Sequence, residues 1–343
     1  MFEPSARVQP AADRRALSTV AYGFIASKAL FAALEIDLFT LLADGGRRVD
    51  ELAEHAGVAE NRLRTLLHAL AAVGLVVREG DGYTNAPASG RYLVRGSRAE
   101  LGEYYRLQVG RQIYPALVHL DAGMAGTGGA FDTLAGLMAD ADEARTFTDA
   151  QHAGSLAAAR VLAGRLDLGG ARSMLDVGGG SGAFSIALCE ANPRLRATVL
   201  DLPAVLAVAD GERAAAGLPD RISLLPGDAT TTEWPGGQDV VLMSYLLSAL
   251  DETQIDVVLA KAAACLDAGG RLVVHDFVLD DDGDGPPFAA LWFLQYLAYN
   301  PRGVSFSAAD LYRRLAAHGF VDPSVEVLIP EITKVIVSRK AGT

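Results

Sequence analysis

A glycine-rich stretch in the middle of the chain constrains the fold more than any other feature. It reads Leu-Asp-Val-Gly-Gly-Gly-Ser-Gly over residues 175–182. The apolar run 173–177 predicts a buried strand, and 184–190 predicts a helix. Because glycine has no Cβ, such a turn lets backbone N–H groups and a helix N-terminus approach a ligand closely. Taken alone, the stretch would also suit a NAD-binding turn.

Strands and helices alternate after residue 171, which predicts an open, mostly parallel α/β sheet. The expected parallel strands are 173–177, 197–200, 222–225, 240–244 and 271–277. Two more strands, at 324–328 and 334–338, are close in sequence and predict a closing antiparallel hairpin. Ligands of such sheets bind at the carboxyl ends of the parallel strands.

The N-terminal part of the chain predicts a helical domain with a β-hairpin wing. The expected elements are helices over 16–42, 49–56 and 60–73 and a hairpin over 74–84 that turns at Gly80-Asp81-Gly82. This winged-helix order is used for DNA binding in other proteins. Here the would-be recognition helix carries only Arg62 and Arg64 as cations, so an interaction or dimerisation role is favoured.

Composition narrows the class of protein further. A chain of 343 residues, half of them hydrophobic, can bury the cores of two domains. Its net charge of −12 argues against nucleic acid or an anionic membrane as the main partner. No signal pattern or long apolar run is evident, so a cytoplasmic protein is expected. Cys189 and Cys265 lie among Ala and Leu in predicted helices and are interpreted as buried, unreactive thiols.

Acidic residues follow several predicted strands. Asp201 follows the second strand, where a carboxylate can accept hydrogen bonds from both hydroxyls of a ribose. Asp228 follows the third strand and can accept from an adenine amine, and Asp276 lies in the fifth. Each acid alone could merely cap a helix. Together, at one edge of a sheet, they indicate a ligand that contains adenosine.

The motifs together resemble the S-adenosylmethionine-dependent O-methyltransferases of the caffeate and hydroxyindole type. The shared motifs are LDVGGGSG (175–182), LDLP (200–203), PGDA (226–229) and GGRLVV (269–274) before an acid. The resemblance covers nearly the whole chain. It implies a Rossmann-like class I methyltransferase sheet, S-adenosylmethionine as cofactor and a homodimer formed through the N-terminal domain. The implied divisions are a winged-helix dimerisation domain at 12–95, a helical linker contributing to the substrate pocket at 96–165 and a cofactor-binding domain at 166–343.

By this resemblance the cofactor is held by the glycine-rich loop and by the next strand ends. The candidate cofactor-binding residues are Asp176, Gly178, Gly179, Gly180, Gly182, Asp201, Leu202, Gly227, Asp228, Ala229 and Ser244. The loop glycines would cradle the methionine portion. Asp201 would hold the ribose, and Asp228 with Ala229 would hold the adenine.

The segment after the fourth strand departs from the family pattern. The family removes the acceptor proton there with a His followed by an Asp, and these positions fall on Ser248 and Ala249. Of the two flanking acids, one is kept as Asp276 and the other falls on Ser305. Serine is not a base near neutral pH. Proximity alone, a different base, or a carbon or nitrogen acceptor therefore stay open. The candidate catalytic residues are Asp276, Ser248, Tyr245 and His152.

An acceptor-binding wall is expected from two helical segments. The candidates are Phe147 and Gln151 in the linker and Trp292, Gln295, Tyr299 and Asn300 near the C-terminus. Trp292, Gln295 and Tyr299 are three and four residues apart, which places them on one helical face. Aromatic and amide side chains together indicate an aromatic or polycyclic acceptor with polar groups. No metal is expected, because the resemblance places Ser248 where metal-binding relatives have a His, with Gln295 nearby. The acidic run 280–285 imitates the start of a calcium loop, but position twelve of that loop is Leu291, not Glu.

The sequence thus predicts a methyltransferase that acts on a small aromatic or polycyclic specialised metabolite, with oxygen as the leading methyl acceptor. A C- or N-methyltransferase of the same family is one alternative. Another is a relative that uses the cofactor in a decarboxylation, hydroxylation or cyclisation without methylating. A winged-helix regulator that senses a ligand is the alternative from a different class of protein.

Overall fold

The computed structural model of the chain describes residues 9–127, 138 and 140–342. The chain divides into two compact units, residues 9–115 and the part from residue 116 onward. The division falls inside the segment 96–165 that the sequence assigned to a helical linker.

The first unit combines helices with a small antiparallel sheet. Its longer helices are α1 (Arg14–Glu35), α2 (Leu38–Leu41), α3 (Val49–Ala56), α4 (Glu60–Ala72) and α5 (Pro87–Tyr92). Its strands lie in the order β1 (Arg47–Arg48), β3 (Gly82–Asn85) and β2 (Val76–Glu79). Residues 102–116 continue as short helical segments, one of them a π-helix over Tyr105–Ile113. The predicted helix–turn–helix and wing are confirmed.

The prediction of one helix over 16–42 is wrong near its end. α1 ends at Glu35, and the backbone at Asp37 is left-handed with a φ of 57°. Asp is one of the few residue types that adopt this conformation readily. The Asp37 carboxylate accepts a hydrogen bond of 2.8 Å from the Thr40 hydroxyl and so stabilises the new turn, α2. Leu34 and Leu38 are buried on either side of the break, so the apolar spacing did not reveal it.

Helix α1 has an unusually apolar exposed surface. Leu17, Val20 and Phe24 are 63%, 80% and 57% exposed, and their spacing places them on one helical face. By length and composition alone α1 is also apolar enough to cross a membrane. That criterion is weak for a single helix near the N-terminus, since helices of soluble proteins and signal sequences meet it too.

The second unit contains a seven-stranded sheet in the order β6-β5-β4-β7-β8-β10-β9. The strands are β4 (Ser173–Val177), β5 (Arg196–Asp201), β6 (Ile222–Pro226), β7 (Gln238–Ser244), β8 (Leu266–Asp276), β9 (Phe320–Ile329) and β10 (Thr333–Lys340). Strands β4 to β8 are parallel, and β10 is antiparallel to both β8 and β9. All seven predicted strands and the closing hairpin are present, and β8 and β9 begin earlier than predicted, at Leu266 and Phe320.

The helices of the second unit cover both faces of this sheet. The longer ones are α6 (Ala141–Arg165), α7 (Ala183–Ala191), α8 (Pro203–Ala215), α9 (Glu252–Cys265), α10 (Pro287–Tyr296) and α11 (Ala308–Ala317). Alternate side chains of the central strand β7 enter two separate cores, Val241 on one face and Leu242 on the other. Burial on both faces explains why these strands are continuous apolar runs. Cys189 and Cys265 are buried as predicted, and desolvation raises the pKa of each thiol to about 11.

Candidate functional site

A cavity of about 250 Å³ lies where strands β4 to β7 end. This is the edge at which a parallel sheet binds its ligands. The predicted cofactor residues that line it are Gly178, Gly179, Gly180, Asp201, Leu202, Gly227, Asp228, Ala229 and Ser244. The structure therefore brings most of the cofactor candidates together. Asp176 and Gly182 do not line the cavity and lie beside the loop that does.

The glycine-rich loop fits tightly against the sheet on one side and faces the cavity on the other. A Cβ on Gly179 would lie 2.8 Å from the Asp176 carboxylate and 2.9 Å from Val199 Cγ1, so no larger residue fits there unless a neighbour moves. Gly180 has a left-handed φ of 60°, and a Cβ there would meet no atom within 4 Å. The loop can therefore expose its backbone to a ligand.

Asp201 links the end of β5 to this loop. Its Oδ2 accepts a hydrogen bond of 2.8 Å from the Gly180 N–H, and its Oδ1 accepts one of 2.7 Å from the Leu202 N–H. Desolvation raises the pKa of Asp201 to about 6, against the effect of these two bonds. Each carboxylate oxygen can accept a further bond. Asp201 can therefore bind a vicinal diol such as that of a ribose.

The loop after β6 provides the next wall of the cavity. Asp228 Oδ1 accepts hydrogen bonds from the backbone N–H and the hydroxyl of Thr230, at 2.7 and 2.5 Å. A Cβ on Gly227 would clash with the Thr232 side chain, so this position also requires glycine. Together with the tight loop at Gly179 and a carboxylate at Asp201 that can accept from a diol, these residues fit S-adenosylmethionine.

Asp176, near the end of strand β4, lies next to the glycine-rich loop. It is completely buried, and its Oδ2 accepts a hydrogen bond of 2.7 Å from the Ser185 hydroxyl. Its Oδ1 is buried without a hydrogen-bond partner among the described residues. Desolvation, opposed by the Ser185 bond, raises the pKa of Asp176 to about 7. Because a Cβ on Gly179 would lie only 2.8 Å from this carboxylate, Asp176 limits residue 179 to glycine.

Each ring nitrogen of the two histidines near the cavity lies close to an oxygen of another side chain. His152 Nδ1 lies 2.8 Å from the Ser181 hydroxyl, and its Nε2 lies 3.4 Å from Glu212 Oε2. His275 lies between the hydroxyls of Ser244 and Thr333, at 2.8 and 2.9 Å. Desolvation lowers the pKa of the buried His275 to about 3, so its ring is neutral. Neither imidazole lines the cavity, and His152 instead joins α6 to the loop and to α8.

The segment that departs from the family pattern is packed around Asp276. This carboxylate is completely buried and accepts hydrogen bonds from the backbone N–H groups of Ser248, at 3.1 Å, and Phe277, at 2.8 Å. Desolvation raises the pKa of Asp276 to about 6. Tyr245 does line the cavity, from a left-handed backbone with a φ of 57°. Of the four catalytic candidates, it alone lines the described cavity.

Of the residues predicted to form an acceptor wall, some line the cavity and others do not. Phe147, Gln151 and Asn300 line the cavity. Trp292 instead stacks on Phe277 with the ring centroids 4.6 Å apart, and Gln295 and Tyr299 are buried away from the cavity. The cavity is also lined by residues outside the candidate set, including Met138, Thr148, Ser155, Gln254, Tyr296 and Arg302. In the described part of the chain, no group of three or more His, Cys, Asp or Glu side chains could hold a metal.

Comparisons with known proteins agree with this architecture. A family model described as the O-methyltransferase domain matches residues 123–321, and one described as the O-methyltransferase dimerisation domain matches residues 18–95. Human N-acetylserotonin methyltransferase, solved in complex with SAM, has the same fold, with a TM-score of 0.84 and 24% identity over 97% of this chain and all of that one.

Two curated relatives from Streptomyces are more similar in sequence. The 3-hydroxy-5-methyl-1-naphthoate 3-O-methyltransferase of Streptomyces sahachiroi is 34% identical over 82% of each chain. The tetracenomycin polyketide synthesis 8-O-methyl transferase of Streptomyces glaucescens is 32% identical over 93% of this chain and 94% of its own. The chain therefore belongs to the O-methyltransferase family and is an S-adenosylmethionine-dependent methyltransferase.

Proposed function

We propose that this enzyme methylates a hydroxyl group of a small aromatic or polycyclic natural product. The observation that carries the proposal is the composition of the cavity. One cavity is lined by the glycine loop and Asp201 and also by aromatic and amide side chains, namely Phe147, Tyr296 and Asn300. The relatives described above are named for O-methylation of a naphthoate and of a polyketide.

The residues of the chain have three tasks in this reaction. The bound S-adenosylmethionine supplies a methyl group that is already activated on a sulfonium. The loop at 178–180 and Asp201 fix the position of the donor. The ring of Phe147 and the amide of Asn300 orient the acceptor in line with it and keep water out. Such alignment is itself a large rate factor. Removal of the acceptor proton is the remaining task.

Carbon and nitrogen are the alternative acceptors. The family's His position is occupied by Ser248, which is not a base. Other relatives of this chain are named as an L-tyrosine C(3)-methyltransferase and an N,N-dimethyltransferase. An electron-rich ring carbon or an amine accepts a methyl group before it loses its proton, and so depends less on a base.

Incubation with S-adenosylmethionine carrying a ¹³C-labelled methyl group tests the proposal. The acceptor panel contains hydroxynaphthoates, naphthols and aromatic amino acids. We expect the label as an O–CH₃ carbon in the NMR spectrum of a hydroxynaphthalene product. Label on ring carbon or nitrogen would move the assignment to the first alternative. Tight cofactor binding with no labelled product from any acceptor of the panel would contradict the proposed acceptor class.

We further propose that two copies associate through the exposed apolar face of α1. The dimerisation-domain match includes most of this helix, and Leu17, Val20 and Phe24 share the exposed face. Covering one such side chain contributes about 1.5–3 kcal/mol. A second copy of the chain would remove this face from water.

The double variant Val20→Glu/Phe24→Glu is expected to be monomeric at micromolar concentration. A dimer of this variant would have to bury the new glutamate carboxylates of both chains in an apolar interface, which is strongly unfavourable. Light scattering after size-exclusion chromatography should give the mass of one 36.0 kDa chain for the variant and twice that mass for the wild type. Val321→Glu, on an exposed strand position of the second unit, should stay dimeric. A dimeric double variant would contradict the assigned face.

A further inference from the structure

A cluster of buried polar groups lies beside the cavity, and the reaction described so far does not use it. The cluster is formed by the 3₁₀ turn Leu247–Ala249, the end of β8 and helix α10, which packs against that turn. Ser248, Asp276 and Gln295 are 1%, 0% and 6% exposed. The Ser248 hydroxyl, the Gln295 carbonyl oxygen and the Trp292 indole nitrogen have no well-aligned hydrogen-bond partner among the described residues.

Buried polar groups without partners are unusual and costly. Each one loses about 1–3 kcal/mol relative to a satisfied group. Here the Gln295 carbonyl oxygen has no partner among the described residues, whereas the Ser248 hydroxyl and the Trp292 indole have only poorly aligned contacts, with Tyr296 and Asp276. Stability alone does not explain this arrangement around one helix and one turn. A functional explanation is that these groups change partners when a ligand binds or a proton moves.

Tyr296 connects this cluster to the cavity. It lines the cavity, whereas Ser248 and Asp276 do not. The tyrosine hydroxyl is in hydrogen-bonding contact with the Trp292 indole and with the Ser248 hydroxyl. It also lies close enough to the Asp276 carboxylate for that negative charge to raise the pKa of the tyrosine. Ser248 in turn interacts with the Asp276 carboxylate. A serine hydroxyl can rotate to donate to one neighbour while it accepts from another.

We propose that Tyr296 removes the proton of the acceptor hydroxyl and relays it through Ser248 to Asp276. This proposal rests on the proposed O-methylation. The acceptor hydroxyl gives its proton to Tyr296 Oη, while the Tyr296 proton passes to Ser248 Oγ and the Ser248 proton passes to an Asp276 oxygen. The acceptor oxygen forms its bond to the methyl carbon as the bond from that carbon to sulfur breaks. S-adenosylhomocysteine leaves as a neutral thioether, and Asp276 holds the proton until product release.

The ionisation properties of the three groups suit these roles. Desolvation and the nearby Asp276 charge raise the pKa of Tyr296 to about 12, so the tyrosine stays neutral and acts as a relay. Burial raises the pKa of Asp276 to about 6, which makes it a stronger base than an ordinary carboxylate and leaves it ionised at pH 7. His275 cannot act as the base in place of Asp276, because both of its ring nitrogens are already in hydrogen bonds with hydroxyl groups.

The test compares Tyr296→Phe and Ser248→Ala with the control Tyr312→Phe, whose hydroxyl lies outside the cavity lining. Single-turnover methyl transfer is measured with 2-naphthol and with a nitro-substituted naphthol that is already ionised at neutral pH. A general base contributes roughly 10²–10⁴-fold to a rate. We expect losses of at least about 100-fold with 2-naphthol, and of less than about threefold with the ionised naphthol, for both relay variants. The control should match the wild type.

A second readout does not depend on turnover. The naphtholate absorbance of the nitronaphthol, bound in the presence of S-adenosylhomocysteine, reports its ionisation as pH is varied. We expect ionisation to shift to higher pH in Tyr296→Phe and in Ser248→Ala, because the naphtholate loses the hydrogen bond from the Tyr296 hydroxyl or the contact with Ser248 that orients that hydroxyl.

Equal losses with both naphthols, or an unchanged titration, would mean that Tyr296 and Ser248 only shape the site and would overturn the relay. A wild type that methylates neither naphthol but labels another acceptor at carbon or nitrogen would overturn the proposed O-methylation, and the relay with it.

Discussion

Replacing Asp201 with alanine is expected to raise the dissociation constant for S-adenosylhomocysteine by about 100-fold. Hydrogen bonds to a charged group contribute about 1.5–3 kcal/mol each, and a loss of about 2.8 kcal/mol corresponds to a factor of 100. The alanine variant would also leave the Gly180 and Leu202 N–H groups without their acceptors. Both the proposed contact with the ribose and the loop proposed to hold the donor would therefore be weakened.

Isothermal titration calorimetry measures this change without turnover. Asp220→Ala, which replaces an exposed carboxylate of the same unit, should bind like the wild type. An Asp201→Ala variant with wild-type affinity would show that the ribose is held elsewhere. Loss of binding in both variants would point to a general effect of negative charge.

The same residue should make cofactor binding depend on pH. The pKa of Asp201 is raised to about 6, so the carboxylate is ionised above that pH and protonated below it. The ionised form is the better acceptor for ribose hydroxyls. Affinity should therefore fall as pH falls through about 6. Asp201→Asn should remove this part of the pH dependence while it keeps an oxygen acceptor. A pH profile unchanged by Asp201→Asn would assign the dependence to another group.

The sheet, and the grouping of the glycine-rich loop with the acids at its edge, were predictable because each depends on local sequence signals. A buried parallel strand is a continuous apolar run, and the loop that follows must contain glycines where no Cβ fits. Gly179 is such a position, since a Cβ there would touch Asp176 and Val199. The acids Asp201 and Asp228 follow their strands directly, so the sheet itself brings them together. The break at Asp37 was missed because it does not interrupt the apolar spacing.

The acceptor side was less predictable because it depends on how helices are oriented. Periodicity placed Trp292, Gln295 and Tyr299 on one face of a helix but did not show which face lies against the cavity. α10 ends at Tyr296, and it is Tyr296 that lines the cavity while Trp292 stacks on Phe277. The surroundings of His152 were also not predictable from the sequence alone. Its sequence neighbourhood placed it near the site, but its partners Ser181 and Glu212 come from other elements.

Replacing Gly179 with alanine is expected to weaken S-adenosylhomocysteine binding at least about tenfold and to lower the melting temperature by several degrees. The added Cβ would lie 2.8 Å from the Asp176 carboxylate, which is held by its bond to Ser185, and 2.9 Å from Val199 Cγ1. Overpacking of this kind costs about 1–3 kcal/mol, and in a domain of this size each kcal/mol lowers the melting temperature by about 2–4 °C. Because neither Asp176 nor Val199 can move freely, we expect the loop backbone to shift toward the cavity. The shifted loop would then fit the cofactor less well.

Gly211→Ala is the matched control, because it is the same chemical change on helix α8, where a Cβ would meet no atom within 4 Å. Alanine is favoured over glycine inside a helix by about 1 kcal/mol, so this variant should melt slightly higher than the wild type and bind S-adenosylhomocysteine equally well. Differential scanning calorimetry and titration calorimetry on the two variants separate the effects. A Gly179→Ala protein that melts lower but keeps its affinity would show that the loop can relax away from the cavity. The tight packing at Gly179 would then serve the fold of the strand end rather than the cofactor.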